Sequence, residues 1–397
     1  MMHMAFHFNN PTNLIFGRGT RMELGRQKMP GRKALLLLSN GNSTKVNGSF
    51  DCVTQQLTEA GVAYTVFRKI MENPRKEVVM EGAAFAREQG CDFILALGGG
   101  AVLDASKAIA AMATNPGDLW DYVSGGTGKG KPLVNPGLPI VTIPTSSGTG
   151  SEINCWGVIS NLDTHEKIGF GAPGLVPVLS IVDPELMKTV PPQYTAYQGF
   201  DALFHNTEVM ISNGVNIISE TIALSAIERI AKYLPLAVKN GEDLEAREKL
   251  HAASCMAGMA FNSAGLGMCH AMAHALGEQL HLPHGRCNAL LLPHVIGFNA
   301  GLGETGSFSA RARYAALAKR MGLCCYNEGV AVRSLIKQVQ ELMSQVSIAP
   351  KLAEQAQREE LRGALEQICA LAQKDSCLES NPRPASAEQM ASILSQL

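Results

Sequence analysis

The sequence contains no run of about 18 apolar residues, the minimum for a membrane-spanning helix, so no membrane contact is expected. Its start, Met-Met-His-Met-Ala-Phe-His, lacks the positive flank and apolar core of a signal peptide, and a cytoplasmic location is expected. Basic runs are missing and the net charge is -1, which excludes a nucleic-acid surface built on concentrated positive charge. The ten cysteines form no Cys-x-x-Cys and no paired framework, so they read as reduced and mostly buried. No repeat of fixed period and no long low-complexity segment interrupts the chain. With 46% hydrophobic and 17% charged residues, the composition is that of a compact protein and excludes a largely disordered one. A length of 397 residues exceeds what one core usually carries, so two domains are expected.

Histidine, by contrast, is concentrated in one place. Four of the ten lie between Gly265 and Gly285, at His270, His274, His281 and His284. A helix over Met268 to Gln279 would put His270 and His274 one turn apart on one face, which is metal-ligand spacing. Leu282-Pro-His-Gly285 would end that helix and turn a third imidazole back toward it. Upstream, Gly199-Phe-Asp-Ala-Leu-Phe-His205 places Asp201 and His205 at i and i+4 on another apolar helix, adding a carboxylate to balance a dication. Spacing alone does not rank His270 above His274. Phe204, Phe261 and Trp156 are candidates to wall a pocket or to pack the core.

The N-terminal half alternates strand and helix. Lys33–Leu38, Tyr64–Phe67, Asp92–Leu97 and Ile140–Ile143 read as strands, and Pro74–Gln89 and Val102–Met112 as helices. This order predicts a Rossmann-like, mainly parallel α/β sheet with helices on both faces. Two of the strands end in glycine-rich turns, Gly98-Gly-Gly100 and Pro144-Thr-Ser-Ser-Gly-Thr-Gly-Ser-Glu152. Glycines without Cβ let backbone N–H groups approach an anion, and a helix N-terminus adds partial positive charge, so the pair suits a diphosphate. The spacing departs from Gly-x-Gly-x-x-Gly, because Leu103 stands at the last glycine position. Ser124–Lys131 is a short basic loop, read either as solvated or as touching substrate.

Beyond the prolines at 184, 191 and 192, helical periodicity dominates: 195–212, 215–234, 243–262, 266–279, 308–321 and 328–344, with weaker patterns at 349–373 and 386–397. The expected division is an α/β nucleotide-binding domain over 1–190 and an all-α metal-binding domain over 191–397.

Taken together, these stretches resemble the iron-containing (group III) alcohol dehydrogenases over nearly the whole chain, in particular the branch of butanol dehydrogenases and NADP-dependent aldehyde reductases. Asn10-Pro-Thr-Asn-Leu-Ile-Phe-Gly-Arg-Gly19 is similar to the family's opening strand. Gly98-Gly-Gly-Ala-Val-Leu-Asp-Ala-Ser-Lys107 resembles its Gly-Gly-Gly-Ser-x-x-Asp-x-x-Lys signature, and Asp183-Pro-Glu-Leu186 and the histidine stretch follow in order. The resemblance implies a dehydroquinate synthase-like architecture, a homodimer, and hydride transfer between NAD(P)(H) and a small primary alcohol or aldehyde. It further implies Fe2+, or Zn2+ in its place, on Asp201, His205, His270 and His284, with His274 left beside the nicotinamide and substrate. Cofactor contacts implied in the same way are Ser39, Gly99, Gly100, Ala101, Asp104, Thr145, Ser146, Thr149, Lys167, Met187 and Pro191.

Two positions depart from the family pattern. Ala101 replaces a serine in the glycine turn. Ser39 replaces the aspartate that holds the ribose hydroxyls in NAD-preferring relatives; without that carboxylate a 2′-phosphate is not repelled, which favours NADP. A glycerol-dehydrogenase-like or dehydroquinate-synthase-like enzyme shares the same parts, and a metal-dependent hydrolase is the reading from another class.

Overall fold

The computed structural model describes residues 5–397. They form two compact units: Asn9–Pro191 with Gly241–His251, and Pro192–Asn240 with Ala252–Leu397 and the N-terminal residues up to Phe8.

The first unit is built on β1 (Asn13–Phe16), β2 (Lys33–Ser39), α1 (Ser43–Val46), α2 (Ser49–Glu59), β3 (Ala63–Ile70), α3 (Lys76–Glu88), β4 (Phe93–Gly98), α4 (Gly100–Met112), β5 (Ile140–Pro144), β6 (Trp156–Asn161), β7 (Glu166–Gly171) and β8 (Leu179–Val182). Six strands make one parallel sheet in the order β1-β8-β5-β4-β2-β3, and β6 and β7 form an antiparallel pair. The unbroken apolar run of β2 follows from burial on both faces. Leu35 and Leu37 join Val79, Ala83 and Leu103 of α3 and α4 on one side, while Ala34, Leu36 and Leu38 join Val53 and Leu57 of α2 on the other.

Because β2, β4 and β5 are neighbours and parallel, their C-terminal turns emerge at one edge of the sheet, where ligands of such folds bind. The pairing of β2 with β3 slips between Leu38 and Ser39, opposite Arg68 and Ile70. A bulge of this kind re-aims the side chains at the end of a strand.

The strands β6, β7 and β8 are not among those read from the sequence. Gly157, Gly169 and Gly171 dilute the alternation of the hairpin, and β8 is only four residues long. The Asp183-Pro-Glu-Leu186 motif is a clamp. Asp183 accepts from the backbone N–H groups of Gly19 and Glu185, both at 3.0 Å, and from the Arg21 guanidinium at 2.6 Å, tying the turn after β1 to the end of β8. The basic loop Ser124–Lys131 is likewise pinned. Thr127 N–H and the Trp120 indole donate to buried Glu166 at 2.9 and 3.2 Å, and Lys129 pairs with Asp121 at 2.7 Å.

The second unit is helical: α5 (Pro192–Ile211), α6 (Ile217–Lys239), α7 (Leu244–Ala264), whose residues up to His251 count with the sheet, α8 (Met268–Leu280), α9 (His284–Asn299), α10 (Ser309–Arg320), α11 (Glu328–Gln345), α12 (Gln355–Ala372) and α13 (Ala387–Leu394). The helix α9 was not read from the sequence. Pro283 before it and Pro293 inside it look like breakers, and its middle, Ala289–Leu292, is apolar all round. From Gly199 to Ile211 every residue of α5 is buried, Asp201, His205 and Glu208 included. A helix this deep must give each polar side chain a partner inside the protein.

Candidate metal centre and cofactor turns

Asp201 and His205 stand one turn apart on α5, and His270 and His274 one turn apart on α8. The helix α8 ends at His281, which takes the left-handed conformation at φ 51°, and Pro283 then starts α9 so that His284 is its first residue. This turn returns His284 to the face from which α8 departed. Its approach to α5 is close: a Cβ on Gly285 would lie 2.1 Å from the carbonyl oxygen of Tyr197. His281 itself is exposed and takes no part.

Three imidazole nitrogens converge on Asp201 Oδ1, with His284 Nε2 at 3.4 Å, His205 Nδ1 at 3.9 Å and His270 Nε2 at 4.0 Å. The ligand atoms of Asp201, His270 and His284 lie within 4.8 Å of one another, and the His205 ring stacks on that of His270 with centroids 4.4 Å apart. Donors bound tetrahedrally at about 2.0–2.2 Å stand about 3.4 Å apart, so the set matches a first-row dication in size and in chemistry. His270 Nε2 is buried and makes no hydrogen bond among the described residues. Phe261 stacks on His205 at 4.7 Å and Phe204 meets His270 edge-on at 6.1 Å, so both aromatics wall the imidazoles.

Around this group lies a layer of partners. Asn288, one turn after His284 on α9, donates to Asp201 Oδ1 at 2.9 Å. Glu208 takes His270 Nδ1 at 2.5 Å and the backbone N–H groups of Gly267 and Cys269 at 3.0 and 2.7 Å. Asn381 takes the N–H of Met268 at 3.1 Å, so the start of α8 is capped by side chains distant in sequence. Burial opposes the protonated form of His270, yet the charge and hydrogen bond of Glu208 raise its pKa above the ordinary imidazole value.

His274 points to a different partner. Its Nδ1 lies 2.7 Å from Asp375 Oδ2, and Asp375 in turn accepts from the Cys377 N–H at 2.8 Å. Burial opposes ionisation of Asp375, but His274 and the bonds to Cys377 hold it below the usual carboxylate range, while burial first and Asp375 second push the Cys377 thiol up. The structure therefore separates the two histidines that spacing left equivalent: His270 sits with Asp201, and His274 with Asp375, its ring stacked on His284 at 5.1 Å. Glu208, Asn288, Asp375 and Cys377 are the residues that sequence reasoning missed. Glu208 carried a signal, since it lies seven residues after Asp201 on the same helical face.

In the sheet unit, the turns after β4 and β5 touch. Gly100 N–H, at the start of α4, donates to Ser146 Oγ at 3.2 Å, and Thr145 N–H to the Gly98 carbonyl at 2.9 Å. A Cβ on Gly100 would lie 2.4 Å from Thr149 Cγ2, which is why glycine stands there. Gly99, Gly100, Ala101, Thr145, Ser146 and Thr149 are half-buried at these turns, as are Ser39 at the end of β2 and Asp104 within α4.

Both oxygens of Asp104 are engaged, by Ser151 Oγ at 2.6 Å and Val158 N–H at 3.0 Å, and burial raises its pKa. Beneath it Lys107 is fully buried, donating to Ser151, Asn154 and the Trp156 carbonyl, and burial pushes its pKa down to about 8. Lys167 donates to Asn73 at 2.9 Å on the hairpin. Met187 is buried in the apolar cluster with Leu186 and Leu24, away from any surface, and Pro191 is exposed at the end of the unit.

Comparison with known proteins places this arrangement. The profile of the iron-containing alcohol dehydrogenases matches residues 11–184, and that of the Fe-containing alcohol dehydrogenase family, C-terminal, matches 195–397. The chain belongs to the iron-containing alcohol dehydrogenase family. It is 35% identical over 391 residues to an NADPH-dependent butanol dehydrogenase of Clostridium saccharobutylicum, covering 97% of this chain and 96% of that protein. To the NAD-dependent methanol dehydrogenase of Bacillus methanolicus it is 34% identical, covering 98% of each. Among solved structures, a 1,3-propanediol oxidoreductase superposes with a TM-score of 0.88 at 34% identity over 99% of both chains. As a member of this iron-containing, NAD(P)-dependent family the protein is an oxidoreductase acting on alcohols, and the hydrolase and lyase alternatives drop out.

The approach of Gly285 to Tyr197 gives a direct test of the packing. Gly285→Ala should cost about 1–3 kcal/mol of stability and lower Tm by about 2–10 °C. Calorimetry on the purified variant would read this, and an unchanged Tm would show that α9 can move away from α5 without cost.

Proposed function

We propose that the enzyme interconverts small primary alcohols and their aldehydes with NADP(H), using one divalent ion, Fe2+ or in its place Zn2+, held by Asp201, His205, His270 and His284. The observation that carries the metal assignment is the buried, unbonded Nε2 of His270 beside the Asp201 and His284 ligand atoms. When bound, the cation supplies Lewis-acid polarisation of the substrate oxygen and the nicotinamide supplies or accepts the hydride. The protein's own contribution is to fix the donors and to manage the proton. With Nδ1 of His274 donating to Asp375, its Nε2 is the basic nitrogen, suited to take the alcohol proton in oxidation and to return it in reduction. The names of the relatives, among them butanol and 1,3-propanediol dehydrogenases, support a short aliphatic substrate.

The turns after β2, β4 and β5 are assigned to the cofactor. Ser39 brings no carboxylate to the ribose. Lys45 and Arg68 both lie over the Phe50 ring, at 5.5 and 5.2 Å, so two cations stand near the end of β2 where a 2′-phosphate needs them. These features support NADP. The relatives do not choose between the cofactors, since one is named for NADPH and another for NAD. A homodimer in the cytoplasm completes the reading, on the family resemblance and the absence of disulfides among the ten cysteines.

The test is butanal reduction with NADPH and with NADH, on protein reconstituted anaerobically with Fe2+, beside a chelated control. Metal-dependent oxidation of NADPH well above NADH is expected. Arg68→Ala should raise KM for NADPH roughly ten- to a hundredfold, the loss of a hydrogen bond to a charged group, with KM for NADH unchanged; a preference for NADH would overturn the cofactor assignment. For the proton, His274→Ala should lower kcat while metal content stays at the wild-type level. Loss of the metal in that variant would move His274 into the ligand set.

A further inference from the structure

Glu208 lies at i+7 from Asp201 and i+3 from His205, so one face of α5 carries all three. It is 2% exposed, and among the described residues neither Lys nor Arg is paired with it. Its Oε1 accepts the Cys269 N–H, and its Oε2 accepts the Gly267 N–H and lies 2.5 Å from His270 Nδ1. Gly267 must be glycine for this approach, because a Cβ there would lie 2.8 Å from Oε1. The two backbone donors sit at the N-terminus of α8. With Nδ1 donating to Oε2, the ring turns its lone pair out on Nε2, the atom 4.0 Å from Asp201 Oδ1.

From this we infer that Glu208 is the positioning residue of the metal centre: it sets the tautomer and orientation of His270 and supplies the second negative charge that, with Asp201, neutralises a bound dication. This rests on the metal reading proposed above. Three neutral imidazoles and one carboxylate leave a dication with a net positive charge among side chains of which Asp201, His205 and His270 are buried, where an unbalanced charge is costly. Glu208 removes that excess without occupying a coordination position, and its hydrogen bond makes Nε2 the better donor.

The experiment measures the dissociation constant for Co2+ by competition with a chromophoric chelator, together with the Tm of the metal-free protein, for wild type, Glu208→Gln and Glu208→Asp. The glutamine keeps one acceptor oxygen but turns an NH2 group against a backbone N–H. The aspartate keeps the charge and withdraws it by one methylene. Glu208→Gln should weaken Co2+ binding about 10- to 100-fold, with Glu208→Asp between it and wild type. Should the glutamine variant fail to fold, the aspartate variant alone decides the matter by the same comparison. Variants that bind Co2+ within twofold of wild type, whatever their Tm, would overturn the inference and leave Glu208 as a helix cap only. Failure of the wild type itself to take up one Co2+ would instead refute the ligand assignment on which the inference stands.

Discussion

Polar side chains can be gathered inside a helical core only if each is held by another polar group, and that constraint organises the helical unit. Asp201 is tied to Asn288, His270 to Glu208 and His274 to Asp375. Each link joins residues far apart in sequence, so the packing of α5, α8, α9 and the segment after α12 is specified by hydrogen bonds as well as by apolar contact. What the network leaves over, among the described residues, is the lone pair of buried His270 Nε2, 4.0 Å from Asp201 Oδ1. A cation is the partner that such a remainder fits.

The sheet unit solves a different problem with different means. Its strands are buried on both faces, and the polar work is confined to the turns at their C-terminal ends. There glycine permits close approach at Gly100, while Lys107 and Asp104 anchor the loop from Ser151 to Val158 from beneath. The signature lysine thus acts on the protein's own backbone and side chains. Of the signature glycines, Gly98 is buried and Gly99 and Gly100 are half-buried against Ser146 and Thr149.

Much of this was legible in the sequence where the signal is local. Apolar runs closed by glycine announced β2, β4 and β5, and i, i+4 pairs announced the faces of α5 and α8. The choice between His270 and His274 was not legible, because both satisfy the same spacing and only Glu208 and Asp375 tell them apart. Glu208 was readable in principle from its helical face, whereas Asp375, a hundred residues beyond His274, gave no local sign. The helix α9 was hidden by Pro283 and Pro293, and the hairpin by its glycines. Met187, implied as a cofactor contact by resemblance, lies in the apolar core, a placement set by tertiary packing and not by motif.

The central claim is that one cation is bound by three imidazoles and one carboxylate and by no sulfur, although Cys269, Cys287 and Cys377 all belong to the surrounding elements. X-ray absorption at the iron edge, on protein loaded anaerobically with one equivalent of Fe2+, tests it most directly. The account predicts an inner shell of nitrogen and oxygen alone, with outer-shell scattering from three imidazole rings. A sulfur scatterer at about 2.3 Å, or a shell of oxygen with fewer than two imidazoles, would contradict it.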